Sequence, residues 1–375
     1  MDFSFRRYIK TIGSPKIFVY TVIWMMVLVF IGTVVQKDVG LYAAQKKYFS
    51  SWFIMLFGLI PLPSGKLTML VMFLNLSCYF FRPHIFTKNK IGITITHSGM
   101  ILMLVGGLLT SLFSKEGSLV FEEGQKSNFF EDYHLKEFIV IDTSNPDYDQ
   151  FTAFNNNELY RNNVLEHENF NFKIEILDFY INCRPERRLY GSEETLRGMA
   201  SNFFLQEIDS EKEYEKNISG IVYRIRGTDD DDGVYINYVG QPITQSLEVD
   251  SKQYMLILRR ERTHLPFSLE LIDFKKVMHP GTNIAKSYSS DIYLKENDIS
   301  RKVLIKMNEP LRHRGYTFYQ ASFVEEGLKQ TSVLATVKNH GRLFPYISTI
   351  IMCIGLLFHM FLMLFKRIKT NNAKS

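Results

Sequence analysis

Four stretches of this 375-residue chain are apolar and almost free of charge: Ile17 to Gln36, Gly65 to Phe81, Ile91 to Phe113 and Leu343 to Phe365. A helix that crosses a bilayer needs about 20 predominantly apolar residues, so each is read as a transmembrane helix, the second being the shortest. Between the first two lies YFSSWFIMLFGLIPLP, also uncharged, in which Pro61 and Pro63 break any continuous helix. It is read as a separate interfacial helix. Basic residues flank the first stretch (Arg6, Arg7, Lys10, Lys16), fill the loop between the second and third (Arg82, Lys88, Lys90) and follow the fourth (Lys366, Arg367, Lys369, Lys374). By the positive-inside rule these flanks are cytoplasmic, which puts both termini inside and Ser114 to Arg342 outside. The expected organisation is a membrane region over 1–113 with three spans, an exterior domain over 114–342, and a fourth span with a basic tail over 343–375.

Two histidines lie within these stretches. His97 is seven residues after Lys90, and His359 is seven residues before Lys366. At about 1.5 Å rise per residue, each sits roughly 10 Å from the same membrane face. An ionisable side chain in hydrocarbon is costly unless it meets a partner or a cavity, so both are functional candidates, and equal depth suggests one shared ligand. The competing reading is a polar residue that hydrogen-bonds across helices.

The mean hydropathy of −0.06 averages the apolar spans with a polar domain. That domain reads as strands: KEFIVID, NFKIEILDFYI, GIVYRIRG, GVYINYVG, QYMLILRR, FSLELIDF, SDIYLKE, RKVLIKM and YTFYQASF alternate or are β-rich and are separated by turn residues. Many short strands argue for a mainly-β fold, a sandwich or a partly open barrel. In GYTFYQASF, alternation puts Tyr316, Phe318 and Gln320 on one face, and the string is assigned to the core rather than to a ligand. The run TDDDDG lacks the ligand spacing of a calcium loop and is read as a solvated turn.

Composition excludes several functions. Of three cysteines, Cys78 and Cys353 lie in apolar stretches, and Cys183 is alone in the exterior domain, so no disulfide staples that domain. No C-x-x-C-H motif is present, so the chain is not itself a c-type cytochrome. The net charge of +5 is spread along the chain, with no dense basic run for nucleic acid. No nucleophile triad, phosphate loop or zinc spacing stands out, which argues against a self-contained hydrolase or kinase.

The run LPFSLELIDFKKVMHPGTNIAKSYSSDIYL, then VLIKMNEPLRHRGYTFYQASF and VKNHGRLFPYISTIIMCIGLLFHMF, resembles the ResB-like family of cytochrome c biogenesis proteins. GTVVQ, KYFSSWF, PLPSGKLTMLVMFLNL and THSGMILMLVGGLLT fit the same family, so the likeness runs from about Ile17 to Phe365. It implies a multi-pass subunit of the bacterial cytoplasmic membrane that relays or holds b-type haem for attachment to apocytochrome c outside the membrane. The implied partner is a CcsA-like membrane protein with a Trp-rich haem-handling motif. That motif is absent here, as the only tryptophans are Trp24 and Trp52, so the chain is expected to hold part of a site within a cytochrome c synthase complex.

With haem in view, His97 and His359 become candidate axial ligands, because iron takes neutral imidazole and the macrocycle needs apolar walls. His313, beside Arg312 and Arg314, is a candidate for the propionates or a surface residue at a turn. His340, just before the fourth span, is a candidate for haem emerging between subunits or an ordinary interfacial residue. His134, His167, His264 and His279 are read as structural, and His84 as part of the basic flank. The alternative function is a membrane scaffold whose exterior domain docks the partner and apocytochrome while the histidines hold helices together.

Overall fold

The computed structural model describes residues 3–81, 85–188, 195–282, 285–326 and 329–372. Arg82 and His84 therefore lie outside the described residues. The chain divides into two compact units, residues 1–115 with 338–375, and residues 116–337.

The first unit is helical. Its helices are α1 (Phe3–Ile12), α2 (Pro15–Val39), α3 (Leu41–Gln45), α4 (Gly65–Phe80), α5 (Ile91–Phe113) and α6 (Phe344–Asn372). Pro15 starts α2 at the one helical position where a missing N–H costs nothing. Among the described residues three helices are long and apolar enough to cross a membrane: Pro15–Val39, Ile91–Phe113 and Phe344–Ile368. The fourth expected span is only the 16 residues of α4, about 24 Å of helix against about 30 Å of hydrocarbon. The expected interfacial helix is instead a hairpin, β1 (Phe53–Leu56) and β2 (Ile60–Pro63). Phe57 and Gly58 both take positive φ, 52° and 73°, which is the turn that matches strand twist. Pro61 and Pro63, which forbid a helix, sit without penalty where a strand edge needs no N–H.

Helices α5 and α6 pack antiparallel through glycines seven residues apart. An added Cβ at Gly92 would lie 2.7 Å from His359 Cβ, at Gly99 2.6 Å from Met352 Cγ, and at Gly106 against Phe344. Gly355 and Gly341 answer from α6 and its leading turn against Thr96 and Thr110. Without side chains at these positions the backbones approach closely, the usual device where helices meet in lipid. Thr110 Oγ1 and the Gly341 amide both donate to Asn339 Oδ1, at 3.0 and 2.7 Å, and fix the entry to α6.

The second unit is mainly β, as expected. Its strands are β3 (Lys115–Glu122), β4 (Lys126–Asp142), β5 (Gln150–Asn155), β6 (Val164–Leu165), β7 (Lys173–Tyr180), β8 (Cys183–Arg187), β9 (Phe203–Glu207), β10 (Gly220–Arg226), β11 (Gly233–Tyr238), β12 (Gln245–Val249), β13 (Lys252–Met278), β14 (Ala285–Glu296), β15 (Ile299–Lys306), β16 (Leu311–His313), β17 (Tyr316–Glu326) and β18 (Lys329–Lys338). QYMLILRR and FSLELIDF, which read as two strands, are one 27-residue strand, β13, whose register against β4 breaks between Arg260 and Arg262 and again between His264 and Leu269. These irregularities bend the strand, as bulges do. One half of it joins each of two cores.

In the first core, Phe138, Val140, Leu256 and Leu258 of the ten-stranded sheet face Ile174, Ile176, Ile221 and Tyr223 of the four-stranded sheet β11-β10-β7-β6. That half is a sandwich. In the second core, Leu119, Phe121, Leu269, Ile292, Ile305, Phe318 and Leu334 all come from the sheet ordered β15-β14-β13-β4-β3-β18-β17-β16. Its end strands β15 and β16 are consecutive in the chain and joined by a short turn bridged between Lys306 and Glu309, so the sheet curls around its own side chains like a partly open barrel. Tyr316, Phe318 and Gln320 are buried, as alternation requires, and Gln320 bonds Ser290 and Ser332 inside the barrel. The aspartate run forms a short turn in which Asp232 Oδ1 accepts from the Thr228 amide and hydroxyl. Burial raises the Cys183 thiol to about 12, which keeps it protonated and unreactive.

Candidate functional site

The best-formed site in the helical unit is built around His97. In α5, His97 Nδ1 lies 2.8 Å from the Ile93 carbonyl one turn back. A carbonyl only accepts, so in the neutral ring Nδ1 carries the proton and Nε2 keeps its lone pair. This is the tautomer that binds a metal through Nε2. The imidazole stacks on the Tyr79 ring of α4, with centroids 4.4 Å apart and planes 15° from parallel. Tyr79 Oη lies 3.4 Å from Thr94 Oγ1, and that hydroxyl donates 2.8 Å to the Ile85 carbonyl. Tyr79 is thus held from both sides.

A cavity of about 320 Å³ opens beside the ring, walled by Phe18, Val19, Leu76 and Tyr79 and floored by the α1–α2 turn. Asn75 fixes that floor by donating to the Ile12 carbonyl at 2.5 Å and the Ser14 carbonyl at 2.9 Å. Largely apolar walls beside an imidazole suit a flat hydrophobic group that takes a nitrogen ligand. Ligand pockets run from about 300 to 1,000 Å³, and this one lies at the small end of that range.

His359 is not brought to this cavity. Its Cβ and backbone pack on Gly92, on the face of α5 that meets α6, whereas His97 faces α4. Nor are the two at one depth. His359 stands opposite Gly92, five residues before His97, an offset of about 7.5 Å along α5. Equal spacing from Lys90 and Lys366 misled because the two lysines are not level: α6 continues as helix to Asn372, so Lys366 lies beyond the start of α5. His359 Nδ1 is buried with no hydrogen-bond partner among the described residues. Such an orphan costs roughly 1–3 kcal/mol.

The remaining candidates fall elsewhere. His340 is exposed in the turn before α6, its ring 6.3 Å from that of Phe113 and edge-on. His313 lies in the β unit at the end of β16, where its Nε2 pairs with Glu296 Oε2 at 2.9 Å and Phe267 meets it edge-on at 4.8 Å. Arg314 Nε binds the other Glu296 oxygen at 2.5 Å. Of the expected propionate site, His313 and Arg314 thus share one carboxylate. Tyr79 and Asn75 were not foreseen; the signal was present as polar residues within an apolar stretch. Among the described residues no cluster of three metal-ligating side chains occurs.

The model of the ResB-like family matches residues 244–350, from β12 through the first turns of α6. Over that stretch, less than a third of the chain, the sequence is similar to the ResB-like family. The match takes in NEPLRHRGYTFYQASF and ends nine residues before His359, so neither membrane histidine lies inside it. No curated protein matches the chain. The likeness is to the ResB-like family over that stretch alone, and three helices among the described residues are long and apolar enough to cross a membrane.

Proposed function

We propose that this chain is a haem-handling subunit of a cytochrome c biogenesis complex, with both termini cytoplasmic and the β unit outside. The observation that carries the reading is the fixed tautomer of His97 beside an apolar cavity. When bound, haem supplies an iron that takes the Nε2 lone pair. The chain does the rest: the Ile93 carbonyl holds the ring's proton on Nδ1, Tyr79 fixes the ring plane, and Phe18, Val19 and Leu76 keep water away. The cavity is small for a ligand pocket, a second polypeptide completes it, and a CcsA-like protein is the partner the family suggests. His359, with its unpaired Nδ1 near the start of α5, would serve as a separate station for the group rather than share the His97 cavity. The β unit then faces apocytochrome c, and His340 and His313 are secondary contacts for haem leaving the membrane.

The same stacking of His97 on Tyr79 favours a second reading, in which the pair merely joins α5 to α4. Haem content decides between them. In the full chain purified from cells that make c-type cytochromes, His97→Ala should lose most bound haem and His359→Ala part of it, with the helices intact. Full haem content in both variants and in the double variant leaves the helix-joining reading.

A further inference from the structure

Residues 41–80 form a broken helix with a hairpin inserted at the break. Its upper piece is α3 with the wide turn Lys46–Ser50, and its lower piece is α4. The pieces meet, since a Cβ added at Gly65 would lie 3.1 Å from Phe49 Cα. Between them the chain leaves as hairpin β1–β2, closed at its base by the Ser64 amide donating 3.1 Å to the Trp52 carbonyl and the Ser64 hydroxyl bonding Ser51. Helix α2 fixes where this happens. Trp24 Nε1 donates 2.8 Å to the Pro63 carbonyl, and the Phe49 ring would lie 2.9 Å from a Cβ on Gly32. Trp24 and Gly32 bracket the middle of the 25-residue α2, so where α2 crosses a membrane the hairpin leaves at mid-depth.

Lipid is a poor neighbour for this element. Phe57 and Leu59 at the tip are 87% and 81% exposed, and Phe53, Met55 and Ile60 are also bare. Pro61 stands opposite Met55 and Pro63 opposite Phe53, and neither proline has an N–H. These are therefore the non-hydrogen-bonded pairs, and the N–H and C=O of Phe53 and Met55 point away from β2. Neither residue's backbone has another partner among the described residues. Open strand edges do not occur against hydrocarbon; they survive at membrane depth where protein covers them. Lys66 adds a charge. It is exposed, its ammonium 4.7 Å from the centroid of the Trp52 ring, with no ion pair among the described residues. The sequence of the helical unit offers only Asp2 and Asp38 as acids. A lone lysine at mid-membrane depth marks a partner with the opposite charge.

We propose that the hairpin Trp52 to Pro63, together with Lys66, is the docking surface for a membrane-spanning segment of another polypeptide that carries an Asp or Glu at mid-membrane depth. This rests on α2 spanning the membrane and is independent of haem. The test uses the full chain in its native membranes. A lipid-soluble carbodiimide should join Lys66 Nζ as an amide to an acidic residue inside an apolar segment of a different chain, identified by mass spectrometry. A photoreactive phenylalanine at Leu59 should label that same chain, with labelling retained in Lys66→Arg and cut at least tenfold in Lys66→Glu. Lipid adducts alone, a cross-link to Asp38 of a second copy, or protein labelling indifferent to Lys66→Glu would each overturn the proposal. The carbodiimide arm needs no substitution, so a poorly folding variant cannot obscure the answer.

Discussion

Gly92→Ala is the sharpest test of the helical packing that places His359. The new methyl would lie 2.7 Å from His359 Cβ, 2.7 Å from its backbone N and 2.8 Å from the Gly355 carbonyl oxygen. None of these is the tip of a flexible side chain. An ordinary carbon contact needs about 3.5 Å or more, so α5 and α6 must part locally by roughly an ångström. Overpacking of this kind costs about 1–3 kcal/mol, against a gain of about 1 kcal/mol from replacing glycine within a helix. The control is built into the same helix: a Cβ at Gly107 meets nothing within 4 Å. Gly107→Ala should therefore gain the helix term alone. Thermal unfolding of the full chain in one detergent should rank Gly107→Ala at or above wild type and Gly92→Ala below it. Equal stability of the two variants would refute the antiparallel register.

Two further outcomes follow from buried polar groups. Burial, aided by Arg260, lowers the Lys136 ammonium from 10.5 to about 8. Between about pH 8 and 10.5 the unfolded chain holds a proton that the folded chain lacks, so this residue makes stability rise with pH there. Below about pH 8 its full penalty applies, on the order of 3 kcal/mol. Lys136→Met should raise stability at pH 7 and flatten the difference curve above pH 8; an unchanged curve by denaturant titration would contradict this. Asn75→Ala removes both bonds to the α1–α2 turn; the Ser14 carbonyl keeps the Ile17 amide as donor while the Ile12 carbonyl loses its side-chain partner, which should cost about 1–3 kcal/mol and speed hydrogen exchange at Gly13. Unaltered exchange there would show that the turn is held by other contacts.

Much of the β unit was legible because alternation is a strong signal where one face is buried: NFKIEILDFYI, GIVYRIRG and YTFYQASF all became strands, and Tyr316, Phe318 and Gln320 of the last face inward as expected. The fusion of two strands into β13 was not, since bulges that bend a continuous strand look like strand ends in the sequence. Three spans were legible by length and hydropathy. The hairpin was not, because FIMLFGLIPLP is uniformly apolar and carries no period to tell helix from strand; only its prolines and Phe57-Gly58 hinted at the turn. The site was half legible. An ionisable residue in an apolar stretch pointed to His97, but its partner Tyr79 and the separation from His359 depend on helix register, which spacing from flanking lysines does not determine.

The account rests on His97 Nε2 as an iron ligand, and pulsed electron paramagnetic resonance on the ferric full chain tests it most directly. His97→Gly leaves room for a free imidazole in the place of the lost ring. When ¹⁵N-imidazole is added, the account predicts a ¹⁵N coupling at the iron in His97→Gly, none in wild type, and partial return of haem content. Identical couplings in wild type and His97→Gly, with haem content unchanged by the substitution, would contradict it.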